Sequence, residues 1–173
     1  MKFSTTEDIR VPISVTFEML TSFEQFERAA MRRGAEVQRT DKMAAPGVGM
    51  GWRALFPFRG KEREVEIVVE RFDGPDRMLL VFSSGNLKGA IELDLLALSR
   101  SDTRLSIVFE VLPRTLPARV MIQTMTLAKS SLGKRFNARI GKYLRDMEED
   151  YQRQLASEAV VTSKTQRGRL GYL

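Results

Sequence analysis

The residues able to do chemistry in this chain are few. It contains no cysteine and no histidine. Thiolate nucleophiles and disulfides are therefore excluded, and the commonest general base and transition-metal ligand is missing as well. A Ser-His-Asp triad, a Cys-His dyad and a catalytic zinc site cannot be assembled from what remains. The candidates are carboxylates, guanidinium groups and phenols. Arg139 comes seven positions after Leu132, on a helical stripe with Phe136 and Tyr143, and is expected to project toward the interior or its rim. There it could grip a carboxylate or phosphate through paired N–H groups; otherwise its stem packs and its head reaches water. Glu7 shares a strand face with Phe3, Ile9 and Val11, where a buried carboxylate would need a partner. Arg139 is the candidate partner, and the two could form an acid/base couple or simply satisfy each other. Glu92 and Asp94 share a strand face, as a cation-binding pair would, but they alternate with Ile91, Leu93 and Leu95 and so read as solvent-facing. Tyr143 and Tyr151 could donate to a ligand oxygen. Gly47-Val48-Gly49-Met50-Gly51 is not a phosphate loop, because neither a lysine–hydroxyl pair nor a helix follows it.

These side chains must be positioned by elements that the hydropathy pattern outlines. Residues 3–11 alternate with period two, as a half-buried strand does. Pro12 ends that strand, and Ser14 is a candidate N-cap for a helix from Val15. The helical spacing runs to position 33, with Thr21-Ser22 dividing it into two short helices, and Gly34 closes it. From Ala35 to about Pro113 the pattern becomes that of strands: 35–40, 50–58, 63–72, 78–84, 90–98 and 103–111. Short turn signals at Gly74-Pro75-Asp76, 85–89 and Ser101-Asp102 make consecutive strands antiparallel neighbours in a meander. From Thr115 to about Leu155 the residues Met121, Met125, Ala128, Leu132, Phe136, Tyr143, Met147 and Tyr151 recur at three- and four-residue steps, the mark of an amphipathic helix. That helix is expected to begin near Ala118 and fray near Gln154. Gly133 and Gly141 lie inside it, each costing about 1 kcal/mol relative to alanine.

The 173 residues, 43% hydrophobic and 29% charged, suit one globular domain over 1–155, with 156–173 expected to be a flexible basic tail. The segment MKFSTTEDIRVPIS lacks the apolar core of a secretory signal. No window reaches the roughly 18 apolar residues of a membrane span, so the cytoplasm is the expected compartment. The net charge of +6 is concentrated: from Pro113 to Arg145 there are eight basic residues and no acidic one. Such a face could meet anionic lipid, RNA or an acidic partner, or merely be solvated. Nucleic acid is not the expected partner, since the aromatic residues of this helix lie on its buried stripe rather than among the basic side chains.

The order strand, two short helices, six strands and a long C-terminal helix resembles the SRPBCC superfamily, which includes START lipid-transfer domains and polyketide cyclase-like proteins. The resemblance rests on Ile9-Arg10-Val11-Pro12-Ile13-Ser14 leading into the apolar stretch up to Phe23, on the Trp52 strand after a glycine-containing loop, and on the C-terminal stripe. It covers about residues 3–153 and includes no catalytic signature. It implies an α+β helix-grip fold, a curved antiparallel sheet of about seven strands around a long C-terminal helix, with a cavity between them for a hydrophobic ligand and loop 41–49 as an entrance. A curved sheet cannot close completely on one helix, so its concave face is filled by side chains or by a ligand. The candidate inward residues are Trp52, Phe56, Ile67, Leu93, Ile107, Phe109, Met125, Leu132 and Phe136, with Glu7 and Arg139 as polar members of the site. Nine methionines suit a pliable wall. The expected function is that of a binding or carrier protein for a lipid, quinone or polyketide-like molecule, with no cofactor and no metal. A cyclase/dehydratase-type enzyme and an interaction module using the basic helix face are the alternatives; a peripheral membrane contact and a homodimer stay open.

Overall fold

The computed structural model describes residues 1–58 and 60–170, and the side chains of all of these except position 58 and those from 160 onward. Seven antiparallel strands form one sheet: β1 (Lys2–Ile9), β2 (Glu36–Arg39), β3 (Gly51–Phe58), β4 (Lys61–Asp73), β5 (Arg77–Ser84), β6 (Leu87–Ala97) and β7 (Thr103–Pro113). Their spatial order is β1-β7-β6-β5-β4-β3-β2. Strands β2 to β7 are the expected meander, and β1 pairs with the last of them. Helices α1 (Ile13–Leu20) and α2 (Phe23–Met31) carry the chain from one edge strand to the other. Helices α3 (Leu116–Thr126) and α4 (Lys129–Leu170) follow the sheet. This is the expected α+β helix-grip arrangement.

The period-two pattern predicts the strand faces well because one side of the sheet is buried. Along β1, Phe3, Thr5, Glu7 and Ile9 are the less exposed residues and the intervening ones are exposed. The core gathers Ile9, Val11, Phe17, Leu20, Met78, Leu93, Leu95, Leu105, Ile107, Leu144 and Met147. The corner where β1 meets α1 is fixed by a buried carbonyl: Val11 O accepts from Thr103 Oγ1 at 2.7 Å and from Thr16 Oγ1 at 3.4 Å. Both threonines are fully buried, so an otherwise orphaned polar group is satisfied where the chain turns.

Three helix boundaries differ from expectation. Helix α1 starts at Ile13 with Pro12 as its N-cap, not at Val15 behind Ser14; the proline φ of −57° already suits a helix start. The C-terminal helix is not continuous. Thr115 caps α3 by accepting from Ala118 N at 3.3 Å, the helix breaks at Leu127-Ala128, and α4 starts afresh at Lys129. Helix α4 also runs to Leu170, beyond the end expected near Gln154. The expectation for 171–173 lies outside the described residues.

The two glycines of α4 mark its seat on β1. A Cβ on Gly133 would lie 3.7 Å from the Phe3 ring, and one on Gly141 would lie 4.0 Å from Glu7 Oε1. Eight helical residues rise about 12 Å and four strand residues about 14 Å, so the helix runs alongside β1 in the same direction. The missing side chains let it lie close there.

Candidate functional site

The concave face holds two different interiors. In rows across the ladder, Trp52 pairs with Ile67, Ile67 with Phe82 and Phe82 with Gly89. In the next row Leu80 pairs with Ile91, Ile91 with Phe109 and Phe109 with Phe3. Paired residues present their side chains to the same face. At the β1 end the rows finish in aromatic rings. Phe82 stacks on Phe109 at 5.6 Å, Phe109 lies 6.3 Å from Phe136, and Phe136 lies 5.9 Å from Phe3. At the β3 end the rows finish in aliphatic side chains and Trp52, and from there a cavity of about 440 Å³ extends across the face as far as Ile107 on β7.

Every layer contributes to the cavity wall. The sheet supplies Val37, Trp52, Ala54, Ile67, Met78, Leu80, Ile91, Leu93 and Ile107; α1 supplies Leu20; α4 supplies Ile140 and Tyr143. Helix α2 forms the cover with Phe23, Phe26, Glu27 and Ala30. These four recur at helical spacing, yet no residue of α2 is fully buried. Its apolar side therefore rests partly over open space, with Phe23 alone of the four packed against the core. Phe26 and Tyr143 are the lining residues most open to solvent, and their rings, 5.8 Å apart, mark the mouth. No residue of 41–49 lines the cavity, so the cover is α2 rather than the expected entrance loop.

Among the described lining residues, Glu27, Trp52 and Tyr143 are the ones that carry polar side-chain atoms, and the lining itself is almost wholly apolar. Trp52 Nε1 donates to Glu27 Oε1 at 2.6 Å, which ties α2 to β3. Phe23 packs against the same indole at 4.9 Å, and the Arg39 guanidinium lies 5.5 Å from its ring centroid, a cation–π geometry. Arg39 is held in turn by Asp41, with Nε and Nη2 donating at 2.9 and 2.5 Å. Asp41 also accepts from Gly51 N and Met43 N, both at 2.8 Å. The Arg39 hydrogen bond, followed by that from Gly51 N, holds the Asp41 carboxyl well below the usual carboxylate range, and Arg39 is raised above its ordinary value chiefly by the same bond. Burial pushes the Tyr143 phenol up to about 12, so it is a neutral donor at physiological pH.

Of the residues singled out from sequence, Trp52, Ile67, Leu93 and Ile107 lie on the cavity wall. Phe109 and Phe136 belong to the aromatic plug. Phe56, Met125 and Leu132 are half-buried but outside the wall. Arg139 is exposed. The expected pairing of Glu7 with Arg139 is absent among the described residues; Glu7 Oε1 accepts from Thr5 Oγ1 at 3.2 Å and lies over Gly141. The physical reason is helix phase. The side of α4 turned inward runs Phe136, Ile140, Leu144, Met147 and Tyr151, and Arg139 is one residue, about 100°, off that line. Glu92 is exposed, and Asp94 accepts from Arg77 Nη2 at 3.1 Å. No group of three or more acidic side chains able to hold a metal ion occurs among the described residues. Sequence reasoning missed the α2 residues and Ile140. The available signal was the spacing of Phe23, Phe26 and Ala30, which says that α2 has an apolar face but not what that face covers.

The chain thus has the helix-grip fold of START-like, SRPBCC-type proteins. Solved structures with the same fold include a START superfamily protein from Mycobacterium smegmatis, with a TM-score of 0.52 and 12% identity over 82% of this chain and 98% of that one. A protein from Cytophaga hutchinsonii has a TM-score of 0.55 and 13% identity over 90% and 97% of the two chains. Ara h 8.0201 has a TM-score of 0.52 and 17% identity over 84% and 98%. No protein-family model and no curated protein matches the sequence. Among the described residues, no helix is long and apolar enough to cross a membrane.

Proposed function

We propose that this chain is a binding or carrier protein that holds one hydrophobic small molecule, such as a lipid, quinone or polyketide-like compound, in the cavity beneath α2. The observation that carries this reading is the wall itself: about 440 Å³ bounded by aliphatic and aromatic side chains, with an almost wholly apolar lining among the described residues. Ligand pockets of this kind span roughly 300–1,000 Å³ and use few polar groups to orient the ligand. Trp52, Ile67, Leu93 and Ile107 would make the apolar contacts, together with Phe23, Leu80 and Ile140. The cytoplasm is the compartment this reading assumes.

The enzyme alternative has less support. It draws on Glu7, Arg139 or a tyrosine; Glu7 and Arg139 lie off the cavity wall, and Tyr143 is on it. Native mass spectrometry of protein purified from its own host, followed by organic extraction, tests the carrier reading. A stoichiometric apolar species is expected, and it should vanish in an Ile67→Trp variant whose indole occupies the space. A clean unliganded mass, with no thermal shift across a panel of lipids and quinones, would overturn it.

A further inference from the structure

Resting on that reading, we infer that the ligand is a lipid-type hydrocarbon chain, alkyl or isoprenoid, that enters tail first and keeps its polar group at the mouth between Phe26 and Tyr143. A polyketide-like chain, with oxygens along its length, does not meet these terms. The floor of the cavity carries the argument. Met78 and Leu80 on β5, Ile91 and Leu93 on β6, and Ile107 on β7 bring no N–H or O–H donor and no oxygen in their side chains. They stand in two ladder rows, one of Met78, Leu93 and Ile107, the other of Leu80 and Ile91. The backbone offers nothing there either. Each of these strands has a neighbour on both sides, in the order β1-β7-β6-β5-β4, so its N–H and C=O groups are consumed by the ladders. Beyond Ile91 the second row continues into Phe109, which fills the face together with Phe82 and Phe136. Those rings bear no polar atoms.

The lining residues that do carry polar atoms stand away from this floor. Glu27 on α2 accepts from Trp52 on β3, and its charge also acts on Arg39. Tyr143 stands on α4 at the mouth itself, with its ring against Phe26. An oxygen carried to the floor would leave water and find no partner, a loss worth at least about tenfold in affinity. Water held in the cavity could not supply the partner, because an apolar enclosure of this kind stays dry. A chain of methylene groups forfeits no hydrogen bond on the floor and gains contact with the aliphatic wall. Its polar end, left at the mouth, remains in water. The wall thus favours the tail and penalises each oxygen placed along it.

The test compares decan-1-ol with decane-1,10-diol by displacement of N-phenyl-1-naphthylamine, a neutral fluorescent probe. The two share one chain, and the diol adds a hydroxyl at the end that must reach the floor. The wild type should bind decan-1-ol at least about tenfold more tightly than the diol. Ile91→Thr sets a hydroxyl on the floor and should narrow that gap by strengthening the diol; an unchanged gap in the folded variant would overturn the inference. A decan-1-ol carrying a diazirine at its methyl end should label β6 or β7 on irradiation, as peptide mass spectrometry would locate. Labelling confined to α2 would refute the tail-first orientation. Equal affinity of the wild type for alcohol and diol would sink the inference and leave the carrier reading standing, since a chain has then been bound. If neither displaces the probe, or the probe itself does not bind, the carrier reading fails and this inference with it.

Discussion

The β1 end and the β3 end of the concave face are built from the same ladder rows yet end in opposite states, one packed and one hollow. Trp52, Ile67, Phe82 and Gly89 lie along one row, and the character of the interior changes between the second and third of them. Two things separate the ends. At the β1 end, α4 lies close because Gly133 and Gly141 face β1, and Phe136 enters the gap between Phe3 and Phe109. At the β3 end the cover is α2, a helix with no fully buried residue, tied to the sheet by Glu27 and Trp52. A cavity survives where the covering helix is held at a few points, Phe23 and Glu27 on Trp52, rather than by side chains interdigitated along its length.

The contrast can be broken most severely from the packed side. Phe136→Ala should open the plug, lower stability by about 3 kcal/mol and extend the space available to a ligand. Denaturant unfolding measures the first effect, and the longest alcohol accommodated reports the second. Gly89→Ala is next. A Cβ there would collide with the Glu110 carbonyl oxygen and the Phe82 ring, and overpacking of this kind costs about 2 kcal/mol. A melting temperature equal to that of the wild type would mean that the packed end is looser than described.

The hollow end should respond less. Trp52→Phe removes the N–H that Glu27 accepts, and about 1 kcal/mol of stability should go with it. Faster amide exchange in α2 than in α4 would locate the loss at the cover. The smallest effect concerns Asp41. Because its carboxyl is held below the ordinary value by Arg39 and Gly51 N, its contribution to stability is present above about pH 4. It is lost as pH falls through the lower folded-state value. An Asp41→Asn variant should therefore melt lower than the wild type at neutral pH and converge with it in acid, as thermal scans across pH would record.

What the sequence determined by itself was the order of elements and the faces of the strands. Period two leaves only two choices for a strand, and a run such as Ile91, Leu93 and Leu95 against Glu92 and Asp94 selects one. The division at Thr21-Ser22 and the turn at Gly34, whose φ is +85°, were legible for the same local reasons. The phase of α4 was legible only in part: Phe136, Met147 and Tyr151 do face inward, but Arg139 does not. One stripe drawn from Met121 to Tyr151 assumes an unbroken helix, but the break at Leu127-Ala128 makes α3 and α4 separate rods with separate buried sides. An error of one residue turns a side chain by about 100°, enough to put Arg139 in water and Ile140 on the cavity wall. Tertiary structure alone decided which apolar residues pack and which line empty space, because hydrophobicity records that a side chain leaves water, not whether another side chain or a ligand meets it.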